Sequence, residues 1–242
     1  MRASLRLYSS LTRVTCPPPA SVLSAIRNAC AVAFDVDSTV ITTEGIDELA
    51  AALGKRNAVA ALTRSAMGGS MPFREALSSR LKLLAPTRDA MVDFVRCHPA
   101  VLTPGISCLI KALQARGTPV FLVSGGFTQM IHPVADVLGV PRSRVFANTV
   151  LFNEATGAYK GFDETAPTSS DGGKARVLQS LKDTHGYKTL IMVGDGATDL
   201  QARPPADAFV GYGGVIERDV VKKGADWFVY DWEAFIGAVQ SR

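Results

Sequence analysis

The sequence predicts an α/β fold with a doubly wound, Rossmann-like parallel sheet, and two features of its hydrophobic pattern support this prediction. Five short apolar runs end in small or acidic residues and are typical of strands buried on both faces: 31–36, 119–123, 189–193, 207–211 and 226–230. Between most of them lie segments of helical length with apolar residues three and four positions apart: 106–116, 127–138 and 174–185. Strands that alternate with helices in this way build a parallel sheet.

Two segments interrupt this alternation. The interval 42–103 is rich in Ala and Leu and has no strand pattern, which predicts a helical cap inserted directly after the first strand. The interval 150–162 has two short apolar stretches around a Gly-containing turn, which predicts a small β-hairpin. The predicted domains are an N-terminal extension (1–19), an α/β core (20–41 and 104–242) and the helical cap (42–103).

The composition fits a globular protein and argues against two classes of partner. Of the 242 residues, 47% are hydrophobic and 20% are charged, which is enough apolar material for a large core. The net charge of +4 comes from the four arginines that precede Asp35 in a stretch without any acid, so the rest of the chain is neutral. A nucleic-acid partner would need a basic stripe. A membrane span would need roughly 18 consecutive apolar residues, so neither partner is expected.

The cysteines and histidines indicate neither a zinc site nor a disulfide framework, because none of them follows the usual ligand spacings: Cys16, Cys30, Cys97, Cys108, His98, His132 and His185. A reducing compartment and a cytoplasmic location are therefore expected. The N-terminal stretch 1–19 is rich in Arg, Ser and Thr and free of acid, which is the composition of an organelle-targeting leader. Import into a mitochondrion or plastid and a short disordered extension both remain open.

Carboxylates follow two of the predicted strands. In open α/β sheets, ligands bind beyond the carboxyl ends of the strands. Asp35 and Asp37 follow the first apolar run, and they would repel each other unless a cation lay between them. Asp195 follows the run 189–193 in a glycine-rich turn. A hard cation such as Mg²⁺ prefers carboxylate, carbonyl and water ligands, so these residues predict a magnesium site.

Two further segments have the chemistry of a phosphoryl site. Ser124, Gly125 and Gly126 follow the second run and open a helix, where a hydroxyl and free backbone N–H groups would face an anion. Lys174 stands at the start of another helix, where its ammonium could neutralise phosphoryl oxygens. Taken singly, such features are more often turns, caps or solvated side chains. Their combination and order make a phosphoryl-transfer site the better interpretation.

The order of these motifs resembles the haloacid dehalogenase-like superfamily: Asp-x-Asp-x-Thr at 35–39, Ser-Gly-Gly at 124–126, Lys174 and Gly-Asp-Gly-x-Thr-Asp at 194–199. From about residue 21 to the C-terminus, the chain also resembles the phosphoserine phosphatase family, through Glu44-Gly-Ile-Asp-Glu-Leu, Ala66-Met-Gly-Gly, Val123-Ser-Gly-Gly-Phe, Gly161-Phe-Asp-Glu and Gly172-Gly-Lys. Dehalogenases of the superfamily lack the second Asp, so Asp37 favours phosphoryl transfer.

The resemblance implies a mechanism and a set of site residues. Asp35 would be the nucleophile that forms an aspartyl phosphate, and Asp37 would be the proton donor and acceptor. Mg²⁺ would be held by the Asp35 carboxylate, the Asp37 backbone carbonyl and Asp195, with Asp199 supporting them. Ser124, Gly125 and Lys174 would bind phosphoryl oxygens, Gly126 would shape the turn, and Thr198 would orient the phosphate or water.

The resemblance also implies how the cap selects its substrate. Glu44 would pair with a substrate ammonium, Arg80 would bind a carboxylate, and Met67 and Gly68 would line the closed pocket. Without the resemblance, these residues would be assigned to helix surfaces and core packing. The expected reaction is the hydrolysis of O-phospho-L-serine, the last step of serine biosynthesis.

Three alternatives remain open from the sequence. The first is a phosphatase of the same fold for another small phosphomonoester, such as a sugar phosphate or phosphohomoserine. The second is a phosphotransferase, since one intermediate serves both reactions, and the third is a catalytically silent binding protein. Asp35 and Asp37 argue against the third, because a silent protein has no chemical need for either. The sequence leaves the oligomeric state open, with a homodimer allowed.

Overall fold

The sheet predicted from the apolar runs is present. The computed structural model describes residues 15–67 and 71–240. The strands of the described residues are β1 (Ala31–Phe34), β2 (Val120–Phe127), β3 (Val145–Asn148), β4 (Val150–Phe152), β5 (Tyr159–Phe162), β6 (Leu190–Gly194), β7 (Ala208–Tyr212) and β8 (Trp227–Val229). Six of them form one parallel sheet in the order β3-β2-β1-β6-β7-β8, and β4 and β5 form a separate antiparallel hairpin. The strand order reverses at β1, which places the ligand crevice of such a sheet beside the end of β1.

Helices cover both faces of the sheet, as a doubly wound fold requires. They are α1 (Ala20–Arg27), α2 (Gly45–Ala52), α3 (Arg56–Met67), α4 (Phe73–Leu84), α5 (Arg88–Cys97), α6 (Ile106–Ala115), α7 (Thr128–Leu138), α8 (Gly173–His185), α9 (Ala197–Leu200), α10 (Asp219–Gly224) and α11 (Glu233–Gln240). Val32 and Phe34 pack into one hydrophobic core with α1, α6, α7 and α11, whereas Ala31 and Ala33 pack into a second core with α8 and α10. Successive strand residues point to opposite faces, so a continuous apolar run is needed to fill both cores.

Helices α2 to α5 form the cap predicted between the first two strands. They share a third hydrophobic core, centred on Leu49, Leu77 and Met91, that also includes Val150 and Phe162 of the hairpin. The two chain segments that connect the cap to the sheet run side by side, and Ile41 pairs with Leu102 in an antiparallel bridge. Because the hairpin belongs to the same core as the cap helices, it braces the cap against the sheet.

The structure differs from the sequence expectation at two strands. The apolar run at 119–123 predicted an end at Val123, but β2 continues to Phe127 and its register with β3 shifts between Val123 and Phe127. Strand β3 was not predicted, because it is short, it lies at the sheet edge, and its first two residues are only half-buried. Such a strand has no long apolar run to reveal it.

Among the described residues, the helices are too short or too polar to cross a bilayer. The longest of these described helices, α8, has 13 residues, whereas a helix that spans the hydrocarbon core needs about 20.

Candidate active site

Three carboxylates meet at the carboxyl ends of β1 and β6. Phe34 and Val193 are partners in the sheet register, so Asp35 and Asp195 leave the sheet side by side. Asp199 reaches the same place from α9, and one oxygen from each carboxylate lies within 4.8 Å of the others. Gly194 allows this approach, since a Cβ at this position would lie 2.2 Å from Asp199 Oδ2. The sequence motifs that follow the two strands therefore form one buried acidic cluster.

Lys174 is the cation that neutralises part of this cluster. Its Nζ lies 2.9 Å from Asp35 Oδ2 and donates a hydrogen bond to Asp199 Oδ1 at 2.5 Å. Burial alone would lower the pKa of Lys174, but the charges of Asp199 and Asp35 outweigh burial and raise it. Lys174 is therefore an ammonium at neutral pH, next to the carboxylate predicted to be the nucleophile.

The acidic cluster fits a divalent metal ion. Asp195 Oδ1 accepts a hydrogen bond from Thr39 Oγ1 at 3.0 Å. Asp195 Oδ2 is buried and accepts no hydrogen bond from the described residues, although Arg218 Nη2 lies 3.1 Å away as an ion-pair partner. Burial, followed by the charge of Asp35, raises the pKa of Asp195 to about 6. A buried carboxylate oxygen without a hydrogen bond is costly, and a hard cation among oxygen ligands would remove that cost.

Asp37 has the properties of a general acid. Its Oδ1 accepts a hydrogen bond from the Gly45 N–H at 2.9 Å, at the start of α2. Burial, followed by the charges of Glu44 and Asp35, raises the pKa of Asp37 to about 8. The carboxyl group therefore keeps its proton at neutral pH, as a group that must protonate a leaving oxygen should. Gly126 makes room for it, because a Cβ at that position would lie 2.8 Å from Asp37 Oδ2.

The segment Ser124 to Gly126 forms the irregular part of β2, beside the acidic cluster. Gly125 and Gly126 line the cavity, whereas the buried Ser124 is not among the lining residues. Ser124 Oγ accepts a hydrogen bond from the Gly126 N–H at 2.9 Å, and within the described part of the chain it donates none. The backbone of this segment is fixed from outside, because Asn148 Nδ2 donates to the Gly125 carbonyl at 2.8 Å and Thr168 Oγ1 donates to Asn148 Oδ1 at 3.0 Å.

A cavity of about 200 Å³ lies between these groups and the cap. Its floor contains the predicted chemical residues: Asp35, Asp37, Gly125, Lys174, Asp195 and Thr198. Its roof is formed by cap residues: Glu44, Ile46, Phe73, Leu77 and Arg80. The structure thus brings together most of the predicted floor, with Ser124 and Asp199 buried behind it, and two of the four predicted cap residues. Met67 ends α3, but its side chain and Gly68 lie outside the described residues.

Among the described residues, the cap contributes one carboxylate and one guanidinium to the cavity. Glu44 Oε1 accepts a hydrogen bond from Ser38 Oγ at 2.8 Å. Arg80 Nε donates to the Ala76 carbonyl within α4 at 3.2 Å. Burial lowers the pKa of Arg80, while the charges of Asp47 and Glu44 oppose that shift. A half-enclosed cavity with one group of each sign at its roof suits a small zwitterion.

Arg218 is a cavity residue that the sequence analysis missed. Its Nη2 lies 3.1 Å from Asp195 Oδ2 and 3.4 Å from Glu44 Oε1, so it connects the acidic cluster with the cap. Arg218 directly precedes α10 in a charged stretch that is indistinguishable from a solvated surface. Asn148 and Thr168 were also missed, because they act through contacts that are distant in sequence.

The start of cap helix α4 is hydrogen-bonded to the loop that precedes Lys174. The Phe73 N–H, the first of α4, donates to both oxygens of Asp171, at 3.1 and 3.3 Å. Arg74 Nη2 donates to the Glu164 carbonyl at 3.0 Å and to Ser169 Oγ at 3.1 Å. These bonds satisfy the helix start and place the Phe73 ring over Gly125.

Comparisons with known proteins agree with this arrangement. A family model described as haloacid dehalogenase-like hydrolase matches residues 32–202. Phosphoserine phosphatase of Bos taurus is 49% identical over 90% of this chain and 98% of its own length. The chloroplastic phosphoserine phosphatase of Arabidopsis thaliana is 48% identical over 92% of this chain and 76% of its own length.

A solved structure shares the fold as well. The structure of DsGPDH of Dunaliella salina has a TM-score of 0.82 and 35% identity, and the match covers 94% of this chain but only 38% of that longer chain. The family match includes β1, β2 and β6, whose ends bear the acidic cluster and the Ser-Gly-Gly segment. The chain belongs to the haloacid dehalogenase-like hydrolases and, within them, to the phosphoserine phosphatase family.

Proposed function

We propose that this protein hydrolyses O-phosphoserine to serine and inorganic phosphate, the last step of serine biosynthesis. One observation supports this substrate above other phosphomonoesters: the roof of the cavity bears Glu44 and Arg80, opposite the floor formed by Asp35 and Lys174. The floor suits a phosphoryl group. The roof suits the ammonium and carboxylate groups of an amino acid.

The reaction has two displacements at phosphorus. The Asp35 carboxylate attacks phosphorus, and the bond to the seryl oxygen breaks as that oxygen takes the proton of Asp37. Asp37, now a carboxylate, then takes a proton from a water molecule whose oxygen attacks the aspartyl phosphate. The bond between phosphorus and Asp35 breaks, phosphate leaves, and both side chains return to their first state. The raised pKa of Asp37 supports its role as the acid in the first step.

Several residues stabilise the charge that is transferred. The Lys174 ammonium, the Ser124 hydroxyl and the Gly125 N–H bind phosphoryl oxygens, Gly126 shapes the turn, and Thr198 orients the phosphate or water. Mg²⁺ would be held by the Asp35 carboxylate, the Asp37 backbone carbonyl and Asp195, with Asp199 holding Lys174 beside them. When bound, Mg²⁺ offsets the repulsion between the nucleophile and the phosphate dianion. The buried Asp195 Oδ2 without a hydrogen bond supports this assignment.

A substrate panel tests the proposed function. With Mg²⁺, we expect kcat/KM for L-phosphoserine to exceed that for phosphoethanolamine, which lacks the carboxylate, by about a hundredfold or more. Glycerol phosphate, which lacks both amino-acid groups, should be slower still. Equal values across the three compounds would contradict the assignment to phosphoserine. Absence of phosphate release from all of them would contradict a phosphatase.

The role of Arg80 can be tested with the same compounds. We expect Arg80→Ala to raise KM for phosphoserine about 10- to 100-fold, because a charged hydrogen-bond partner of the carboxylate is lost. KM for phosphoethanolamine should stay nearly the same. Arg96→Ala is the matched control, since Arg96 lies exposed on cap helix α5. An equal loss on both compounds would mean that Arg80 has only a structural role.

The domain boundaries, the location and the assembly are also proposals. The bridge between Ile41 and Leu102 supports a cap at 42–103 within a core of 20–41 and 104–242. A cytoplasmic location is proposed, with import into a plastid or mitochondrion as the alternative that the chloroplastic relative favours. Residues 1–19 fused to a fluorescent protein would decide between them. A homodimer stays a prediction for sedimentation analysis.

A further inference from the structure

Thr39 is the part of the Asp-x-Asp-x-Thr motif to which the proposed mechanism gives no role. It is fully buried, and its Oγ1 donates a hydrogen bond to Asp195 Oδ1 at 3.0 Å. We propose that Thr39 is a positioning residue for the metal site: its hydroxyl fixes the Asp195 carboxylate so that Oδ2 is the oxygen presented to the cation. This inference rests on the metal site of the proposed function.

The argument begins with the two oxygens of Asp195. A carboxylate can rotate about its terminal side-chain bond, because such torsions are broad, so either oxygen could face the ion. A hydroxyl has only one proton to donate, and Thr39 donates it to Oδ1. Oδ2 is left buried, without a hydrogen bond from the described residues, and its partner is the charge of Arg218, whose Nη2 lies 3.1 Å away. The Thr39 hydroxyl thus makes the two oxygens unequal.

Thr39 is itself held in place by two buried side chains. Thr103 Oγ1 donates to the Thr39 carbonyl at 2.9 Å and accepts a hydrogen bond from Trp232 Nε1 at 2.9 Å. The indole of Trp232 stacks on Tyr212 with ring centroids 4.0 Å apart. Hydrogen bonds therefore link Trp232 through Thr103 to the backbone of Thr39, and the side chain of Thr39 binds Asp195.

These hydrogen bonds also reach the connection between cap and core. Thr103 follows Leu102 of the bridge, and its N–H donates to the Val40 carbonyl at 2.9 Å. Thr39 thus holds Asp195 Oδ1 from the side of the sheet, whereas Arg218 approaches Oδ2 from the cavity. Loss of the Thr39 hydroxyl should weaken metal binding while the Asp195 side chain remains, because hydrogen bonds to a ligand commonly change metal affinity about 10- to 100-fold.

The test is a measurement of Mg²⁺ binding without substrate, by isothermal titration calorimetry. Thr39→Val keeps the shape of the side chain and removes the hydroxyl, and we expect it to raise the Kd for Mg²⁺ about 10- to 100-fold. Thr39→Ser restores the hydroxyl and should bind nearly as the unmodified protein does. Thr118→Val is the matched control: Thr118 is also buried but precedes β2, at the amino ends of the strands and away from the metal site, so the Kd of this variant should not change.

Separate outcomes contradict separate parts of the account. If the unmodified protein does not bind Mg²⁺, the proposed metal site fails. If it binds and Thr39→Val binds equally well, the positioning role of Thr39 fails. Should Thr39→Val not fold, Thr103→Val gives the second test, with a smaller increase in Kd expected. An unchanged Kd in folded Thr103→Val would exclude the hydrogen-bond chain. Activity measured against Mg²⁺ concentration should show the same shift, with recovery at high Mg²⁺.

Discussion

Asp35→Asn should lower kcat for phosphoserine by about 10⁴-fold or more, which is the scale of losing a nucleophile. The amide keeps the shape of the side chain, so it fits the buried position at the end of β1, but it cannot form the aspartyl phosphate. The Lys174 bond to Asp199 remains in the variant. The measurement is phosphate release at saturating substrate and Mg²⁺.

A matched control separates chemistry from stability. Asp183→Asn makes the same substitution at an exposed position on α8 and should leave kcat unchanged. Melting curves of both variants should show folded protein. Retained activity in folded Asp35→Asn would refute the assignment of Asp35 as nucleophile.

Asp37→Asn should lower kcat about 10²- to 10⁴-fold, because general acid–base catalysis typically contributes that much. The pH dependence gives a more specific result. The pKa of Asp37 is raised to about 8 by burial and by the charges of Glu44 and Asp35. In the unmodified protein, kcat should therefore fall as the pH rises through about 8 and Asp37 loses its proton. The residual activity of the variant should lack that decline.

The same variant should also change stability, with a defined sign. The ordinary pKa of 3.8 applies to Asp37 in the unfolded chain, whereas the folded value is about 8. Between these pH values, the unfolded chain releases the proton that the folded chain keeps, and this release stabilises the unfolded state. The free energy of unfolding therefore falls as the pH rises. Asp37→Asn removes this penalty.

The check is the melting temperature of the metal-free protein at several pH values. Asp37→Asn should melt higher than the unmodified protein, and the difference should widen from pH 5 to pH 8, because the penalty grows until Asp37 ionises in both states at about pH 8. A difference that narrows with rising pH would contradict the raised pKa.

The acidic cluster could be predicted from the sequence because parallel strands end at a common edge. Asp35 and Asp195 both follow buried apolar runs, so the fold class alone predicts that their carboxylates lie close together. Lys174 is a similar case, since it begins a helix at the same edge. The apolar runs identify the sheet strands reliably, because the side chains of each strand alternate between two hydrophobic cores and nearly every residue must be apolar.

Other residues could not be predicted, because their partners are distant in the chain. Arg218 meets Glu44 and Asp195 only through the folded sheet, and its local sequence is an ordinary charged stretch. Asn148 ends an edge strand too short to show an apolar run. The end of β2 is a different case, because glycines at 125 and 126 indicate a turn and an irregular strand equally well.

The stereochemical course at phosphorus is the measurement that tests the central claim most directly. O-thiophosphoserine with one ¹⁸O on a chiral phosphorus, hydrolysed in H₂¹⁷O, gives a chiral thiophosphate whose configuration can be determined. Each in-line displacement inverts phosphorus, so attack by Asp35 followed by attack by water predicts net retention. Net inversion would mean a single direct attack by water, and it would contradict an aspartyl-phosphate intermediate on Asp35.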